Sequence, residues 1–260
     1  MPHPATSTAL SRTKLVSVLT PTTSGSGTFL ALASDGEKYW VKAPNNPQGP
    51  RTLAAEVIVH GIGNLLGAPI CKTALIEIPD SMTYQFTPQH RLHGGIGHGS
   101  RDIPAALVSE NWSAFSSRDN NRYRQALIFG LWDLCMGGDQ QWLHDITEDY
   151  TIWSFDHGFW LGGEGDWSSE SLRKTGTSPW LYDREPGDLD PAVASARALR
   201  TAALAVLALN REAIRAVTAS VPIEWKIPYA DLATAADILF LRAEGVAERL
   251  TEAAAHTNFD

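Results

Sequence analysis

Short apolar runs bounded by turn residues mark the first third of this chain, and apolar positions at helical spacing mark most of the rest. Phe29–Ala33 and Lys38–Lys42 read as two strands. Ser34-Asp35-Gly36-Glu37 joins them as a hairpin turn, because Asp-Gly readily adopts the positive backbone angles required. Ahead of them, Thr23-Ser24-Gly25-Ser26-Gly27-Thr28 is a turn rich in glycine and hydroxyl side chains. A Pro/Asn loop over 44–50 precedes a helical segment at 51–60, which Leu66-Gly67-Ala68-Pro69-Ile70 closes with glycine and proline. Thr73–Ile78 returns as a strand. The spacing of Ala126, Leu127, Phe129, Gly130, Leu131 and Leu134 predicts a helix over 118–136, and 151–155 reads as a short apolar strand. Periodicity fades over 161–190, a stretch of glycine, serine and tryptophan, and long irregular loops of this kind are commonly functional. One long helix is expected over 191–217. Pro222 and Pro228 end it, and a last helix follows over 229–254.

Composition narrows the classes. A chain of 260 residues with 43% hydrophobic content can build one large domain or two lobes around a cleft. A net charge of −8 argues against generic nucleic-acid binding, which leaves a basic footprint. Cys71 and Cys135 are too few for a disulfide framework or a zinc cluster, so a reduced, cytoplasmic setting is expected. Residues 1–13 are polar with no apolar signal core. No segment approaches the roughly 20 uninterrupted apolar residues that span a bilayer. The expectation is a soluble protein without nucleic-acid or membrane partners.

Two acids carry the candidate chemistry. Asp139 lies in Gly137-Gly138-Asp139-Gln140-Gln141-Trp142. Asp156 lies seventeen positions on, in Phe155-Asp156-His157-Gly158. Phosphoryl transfer needs one carboxylate to orient the attacking hydroxyl and a second to hold the metal that neutralises phosphate oxygens. The strand before Asp156 would deliver it as a directed, buried carboxylate. Upstream, the glycine-rich turn could fold its amides over phosphates while Lys42, at the end of its strand, reaches the same ligand. Glu56 on the following helix would pair with Lys42. Each residue also has a plainer reading: Lys42 as an edge-strand lysine, Glu56 as a solvent-facing helix residue, Asp139 as part of a helix-ending turn. His157 reads as structural. His90, His93 and His98 have some of the spacing of a zinc site but no accompanying carboxylate or cysteine, and read as a solvated loop. Trp132, Trp142, Trp153, Trp160, Trp167 and Trp180 read as core packing, or in part as an aromatic wall for a ring-bearing substrate.

Taken in order, these motifs resemble the HipA-like kinases, a bacterial branch of the protein-kinase-like fold related to phosphatidylinositol kinases. Residues 27–78, with the strand lysine, the helix glutamate and Leu-Gly-Ala-Pro-Ile, resemble the small lobe. The stretch 94–104 resembles the family's Gly-Ser-Arg loop, and 129–158 its catalytic and metal-binding loops. The resemblance implies an α+β, two-lobed fold, with a small β-rich N-lobe over 1–85 and a larger, mainly helical C-lobe over 86–260. It implies ATP and Mg2+ as cofactors. Gly25, Ser26, Gly27, Thr28, Lys42 and Glu56 would serve ATP, Asp139 catalysis, and Asp156 the metal, helped by Gln141, His144 or Asp145. The acceptor would be a hydroxyl, first a protein serine or threonine. Two departures stand out. Five positions after the catalytic acid the family has a metal-binding asparagine, and this chain has His144, a poor donor for a hard ion. Trp40 stands two before Lys42, where kinases have a small residue against the adenine. A small-molecule kinase for an antibiotic or sugar, a catalytically impaired nucleotide-binding module, and an unrelated α+β protein with chance motifs are the alternatives.

Overall fold

The computed structural model describes residues 10–22, 24–85, 88–162, 165–180 and 189–260. Thr23 of the glycine-rich turn and parts of the irregular stretch, 163–164 and 181–188, lie outside the described residues. The fold is α+β, β-rich in its amino-terminal part and helical in its carboxy-terminal part.

Five strands, β1 (Ser11–Pro21), β2 (Phe29–Ala33), β3 (Lys38–Lys42), β4 (Thr73–Ile78) and β5 (Gly95–Arg101), close a barrel in the order β1-β2-β3-β5-β4. β1 lies parallel to β4, and the other pairings are antiparallel. The β2–β3 turn forms as expected. Gly36 takes φ +84°, and Asp35 accepts a 2.9 Å hydrogen bond from the Tyr39 hydroxyl. Phe29, Ala31, Tyr39, Val41, Ala74, Ile76 and Ile78 fill the barrel. That filling leaves no room for inward side chains on β5. A Cβ on Gly97 would lie 2.8 Å from the Lys42 carbonyl oxygen, and one on Gly99 2.7 Å from Ile76. Alternation along the strand then sends His98 and Ser100 to the opposite face. The stretch 94–104, expected as a loop, is therefore largely a barrel strand, and the β-rich part runs past residue 85 to Arg101. At the other end, the nominally polar start of the chain contributes β1, with Thr13 and Leu15 buried.

Between β3 and β4 lies α1 (Pro50–Leu66), longer than its periodicity suggested. Proline occupies its first turn, where the missing N–H costs nothing, and Gly67 closes it in the left-handed conformation at φ +69°. Its residues are apolar on nearly every side because it packs between β5 and the helices α2 (Asn121–Leu134), α4 (Ala196–Leu207) and α5 (Arg211–Ala219). β6 (Ala106–Ser109), β7 (Trp142–Asp145) and β8 (Thr151–Ser154) form a separate antiparallel sheet in that order. α3 (Ser169–Thr175) sits inside the stretch read as irregular, capped by Ser168. The single helix expected over 191–217 is two. α4 ends at Leu207, and the Asn210 side chain accepts from the Ala213 amide to start α5, since asparagine favours caps over helix interiors. α6 (Tyr229–Ala253) completes the chain's helices.

The large core is built around indoles. Trp112, Trp142, Trp132 and Trp160 form successive ring contacts, and Trp167 is buried near them. Trp160 therefore offers no aromatic wall to a ligand, whereas Trp167 and Trp180 border a cavity. Among the described residues no helix is long and apolar enough to cross a membrane.

Candidate active site

Three elements meet at the Lys42 ammonium. The side-chain alternation that buries Tyr39 and Val41 in the barrel turns Lys42 outward toward α1, where Glu56 lies one turn and a half into the helix. Lys42 Nζ is 2.5 Å from Glu56 Oε1 and 2.5 Å from Asp156 Oδ1. The lysine and glutamate side chains are only 6% and 4% exposed, whereas Asp156 is 34% exposed, so the third partner faces outward. Burial alone would lower the Lys42 pKa. The two carboxylates outweigh it and hold the ammonium above its ordinary range. Burial would likewise raise Glu56, but Lys42 and the His157 hydrogen bond hold it well below the usual carboxylate value.

The Asp-x-Gly segment is fitted to this arrangement. β8 ends at Ser154, and Asp156 takes φ +55°, a left-handed conformation uncommon outside glycine. The His157 amide donates to Glu56 Oε2 at 3.1 Å. Its Nε2 lies 2.9 Å from the Ser154 hydroxyl, and its ring edge meets Trp160. His157 is thus a structural residue locking the segment to α1. A Cβ at position 158 would stand 3.0 Å from Lys42 Nζ, so Gly158 leaves the space the ammonium uses.

Asp139 follows α2 through a tightly held turn. A Cβ on Gly137 would lie 2.3 Å from the Trp132 ring, and the Gly137 carbonyl accepts from the Trp180 indole at 2.6 Å. Leu161 and Gly162 donate their amides to Cys135 and Met136 just ahead of it. Asp139 itself is exposed, at φ +56°, and accepts a 2.9 Å hydrogen bond from Gln141 Nε2. Gln141 is the last residue before β7. His144 lies within β7, buried, with Nδ1 toward the Tyr150 carbonyl and its ring against Phe115. It points to the face opposite Leu143, which borders the cavity beside Lys42, so the structure does not bring His144 to that cavity. Asp145 caps the turn after β7, accepting from the Thr147 amide and hydroxyl. Both bonds fall on Asp145 Oδ1.

The structure joins Lys42, Glu56 and Asp156 directly, and Asp139 with Gln141. The glycine-rich turn is less open than its composition suggested. Ser24 takes up the amides of Gly27 and Thr28, and the Ser26 and Thr28 hydroxyls bond each other at 2.7 Å. Gly25 packs against Gln48. Sequence reasoning missed His98, Ser100, Leu143 and Phe155, which together with Trp40 and Lys42 border a cavity of about 130 Å3. His98 is buried in β5 and opposite Lys42 in the strand register, not in a solvated loop. Burial pulls its pKa down to about 4, and that of neighbouring His60 to about 4 as well. The glycine alternation of β5 was the signal that would have placed it. Among the described residues no cluster of histidine, cysteine and acids has the makings of a metal site of its own.

A lysine strand in a small barrel, a glutamate helix packed on it, and an Asp-x-Gly segment meet at one ammonium, as the resemblance led one to expect. Residues 15–135 match the HipA-like kinase family model, so the resemblance carried by the motifs holds over the part containing Lys42, Glu56 and α2. Asp139 and Asp156 lie beyond the matched segment. The chain superposes on a Helicobacter pylori proinflammatory kinase, CtkA, over 94% of its own length and 96% of that chain. The TM-score is 0.60 at 13% identity, a likeness of fold. A Golgi casein kinase with Mn/ADP bound aligns over 94% of this chain and 73% of its own at a TM-score of 0.49 and 10% identity, too distant to carry an argument. No curated protein sequence matches the chain.

Proposed function

We propose that this chain is an ATP-dependent, magnesium-requiring phosphotransferase of the HipA-like kind, with its cleft between a barrel lobe and a helical lobe. The observation that carries the reading is the convergence of β3, α1 and the segment after β8 on one buried ammonium, at 2.5 Å from each carboxylate. A structural salt bridge has no need of a third partner that is one-third exposed on a cavity.

In this reading Lys42, oriented by Glu56, contacts the nucleotide phosphates. Asp156 has one oxygen on Lys42 and keeps its other for a metal, and Gln141 keeps its amide oxygen because its Nε2 is spent on Asp139. These are hard oxygen donors, which suit magnesium. When bound, Mg·ATP supplies the transferable phosphoryl group and part of the charge neutralisation. Asp139 accepts the proton side of the acceptor hydroxyl and orients it. The rest of the catalysis is positioning by a rigid frame. The acceptor is a hydroxyl, with a protein serine or threonine first. The small-molecule alternative called for a deep acidic pocket among the tryptophans. The cavity there, about 400 Å3, carries Asp166 and Lys174 together, and gives a cationic substrate no particular advantage.

The test is incubation with γ-labelled ATP and magnesium, comparing the intact protein with Asp139→Ala, Asp156→Ala and Lys42→Met. Label transferred to protein, or phosphate released, should vanish in all three. Nucleotide binding is read in parallel. Absence of magnesium-dependent binding in the intact protein would refute the reading, and binding without transfer to any hydroxyl acceptor would favour the catalytically impaired module.

A further inference from the structure

The cavity beside Lys42 measures about 130 Å3, whereas sites for drug-sized ligands span about 300–1,000 Å3. A nucleoside does not fit it as it stands. The cause is Trp40. It lies on the outward face of β3, paired in register with Leu30 and Ser100, and borders the cavity together with Lys42 and Leu143. What holds it there is a single directional contact, Nε1 donating to Asp102 Oδ1 at 2.8 Å. Asp102 is the first residue past β5, where the chain leaves the barrel toward β6, and its own amide is tied to the Lys38 carbonyl at 2.8 Å. Arg101, next to it, is committed to Glu37, which leaves the Asp102 carboxylate to the indole.

Resting on the kinase reading, we propose that Trp40 latched to Asp102 is a gate over the base subsite. The indole and the base would share one room, and entry of a nucleoside triphosphate requires the Trp40–Asp102 hydrogen bond to break. The triphosphate end would lie at Lys42 and Asp156, at another part of the same cavity wall. A ligand that binds only a minor, open state has its apparent affinity reduced by the population of that state. Hydrogen bonds to charged groups are among the stronger ones in proteins, so losing the latch should tighten ATP binding about ten- to hundred-fold.

The experiment compares equilibrium binding of Mg·ATP and of magnesium tripolyphosphate, which has no base, to the intact chain, Trp40→Phe and Asp102→Ala. Trp40→Phe keeps an aromatic ring but removes the N–H, and Asp102→Ala removes the acceptor from the other side, so the two fail independently if one misfolds. The expected result is tighter ATP binding in both variants with tripolyphosphate affinity unchanged. Unchanged or weaker ATP binding in both, with tripolyphosphate still bound, would overturn the gate and make Trp40 a fixed wall, while leaving the kinase reading standing. Equal gains for ATP and tripolyphosphate would also overturn it, because the effect would not be at the base. Binding of neither ligand to any of the three proteins would bring down the kinase reading and the gate with it.

Discussion

Substituting Arg242 with methionine removes a guanidinium that is completely buried. Its Nη1 donates to the carbonyls of Gly176 and Ser178 at 2.9 and 2.8 Å. Nη2 donates to the Asp133 carbonyl and Oδ1 at 2.8 and 3.1 Å, and Nε to the Leu134 carbonyl at 3.2 Å. One side chain of α6 thus ties the end of α2, which leads into the Asp139 turn, to the segment after α3. Methionine is of similar length, so the loss is mainly polar: four carbonyls lose a donor, and Asp133, itself fully buried, loses one of its two cations. Arg249, at 2.7 Å from the other Asp133 oxygen, keeps the carboxylate from being wholly uncompensated. Breaking a buried pair by removing one partner costs about 3–5 kcal/mol, and the retained Arg249 places the expectation toward the lower end. For a chain of this size that lowers the melting temperature by roughly 6–20 °C. Thermal unfolding followed by circular dichroism reads it directly. Adding Asp133→Asn to Arg242→Met leaves the Arg249 guanidinium without its carboxylate, so the double variant should lose further stability. A drop below about 2 °C, corresponding to less than ~1 kcal/mol, would refute the reasoning and make the network incidental.

Further consequences can be measured separately. His60 and His98, both held near pKa about 4 by burial, bind protons more readily when unfolded, at about 6.5. The stability they provide as neutral groups is complete above about pH 6.5 and falls as the pH drops toward about 4, by up to ~1.4 kcal/mol per pH unit for each. Urea midpoints across that range should decline, with a shallower slope in His98→Leu; a flat profile would contradict the burial argument. Glu56→Gln leaves Lys42 with Asp156 alone and lets the ammonium drift, so phosphoryl transfer should fall on the order of 100-fold, with the effect in kcat exceeding that in KM. Gly137→Ala drives a methyl into the Trp132 ring, and should depress kcat at temperatures well below unfolding, because the displaced turn carries Asp139. Unaltered turnover in that variant would mean the turn adjusts freely.

Much of the fold was legible where chemistry and periodicity coincide. The β2–β3 hairpin could be read because Asp-Gly has few other uses between two apolar runs. α1 could be read because proline and glycine punctuate its two ends. β5 could not, because the barrel interior is already full and glycine must stand wherever a strand would show an apolar residue; Gly95-x-Gly97-x-Gly99 therefore looks like a loop. β7 was hidden for a related reason: in Trp142-Leu143-His144-Asp145 both the inward and the outward residues are large or polar, since the strand has core on one side and the cavity on the other. The helix over 191–217 was overextended because alanine and leucine continue through 208–209, and only Asn210 signals a new start.

The candidate site follows the same logic, and the His144 expectation shows where it broke. Counting residues forward from Asp139 assumes a catalytic loop of fixed length, but the chain reaches β7 only three residues after the acid. A strand imposes alternation, so the fifth position is bound to fall on whichever face the register dictates, here the core. The residue the structure joins to the acid stands at the mouth of the strand: Gln141, hydrogen-bonded to Asp139. Lys42 and Asp156 were readable from sequence for the converse reason. Each is placed by a strand that ends at it or just before it, so its position is counted from the element that carries it and does not depend on loop length. Residues set by strands survive changes in the loops between them, and those set by loops do not. Lys42, Glu56 and Asp156 are joined side chain to side chain from three elements, and it is at those three that phosphate chemistry is best tested.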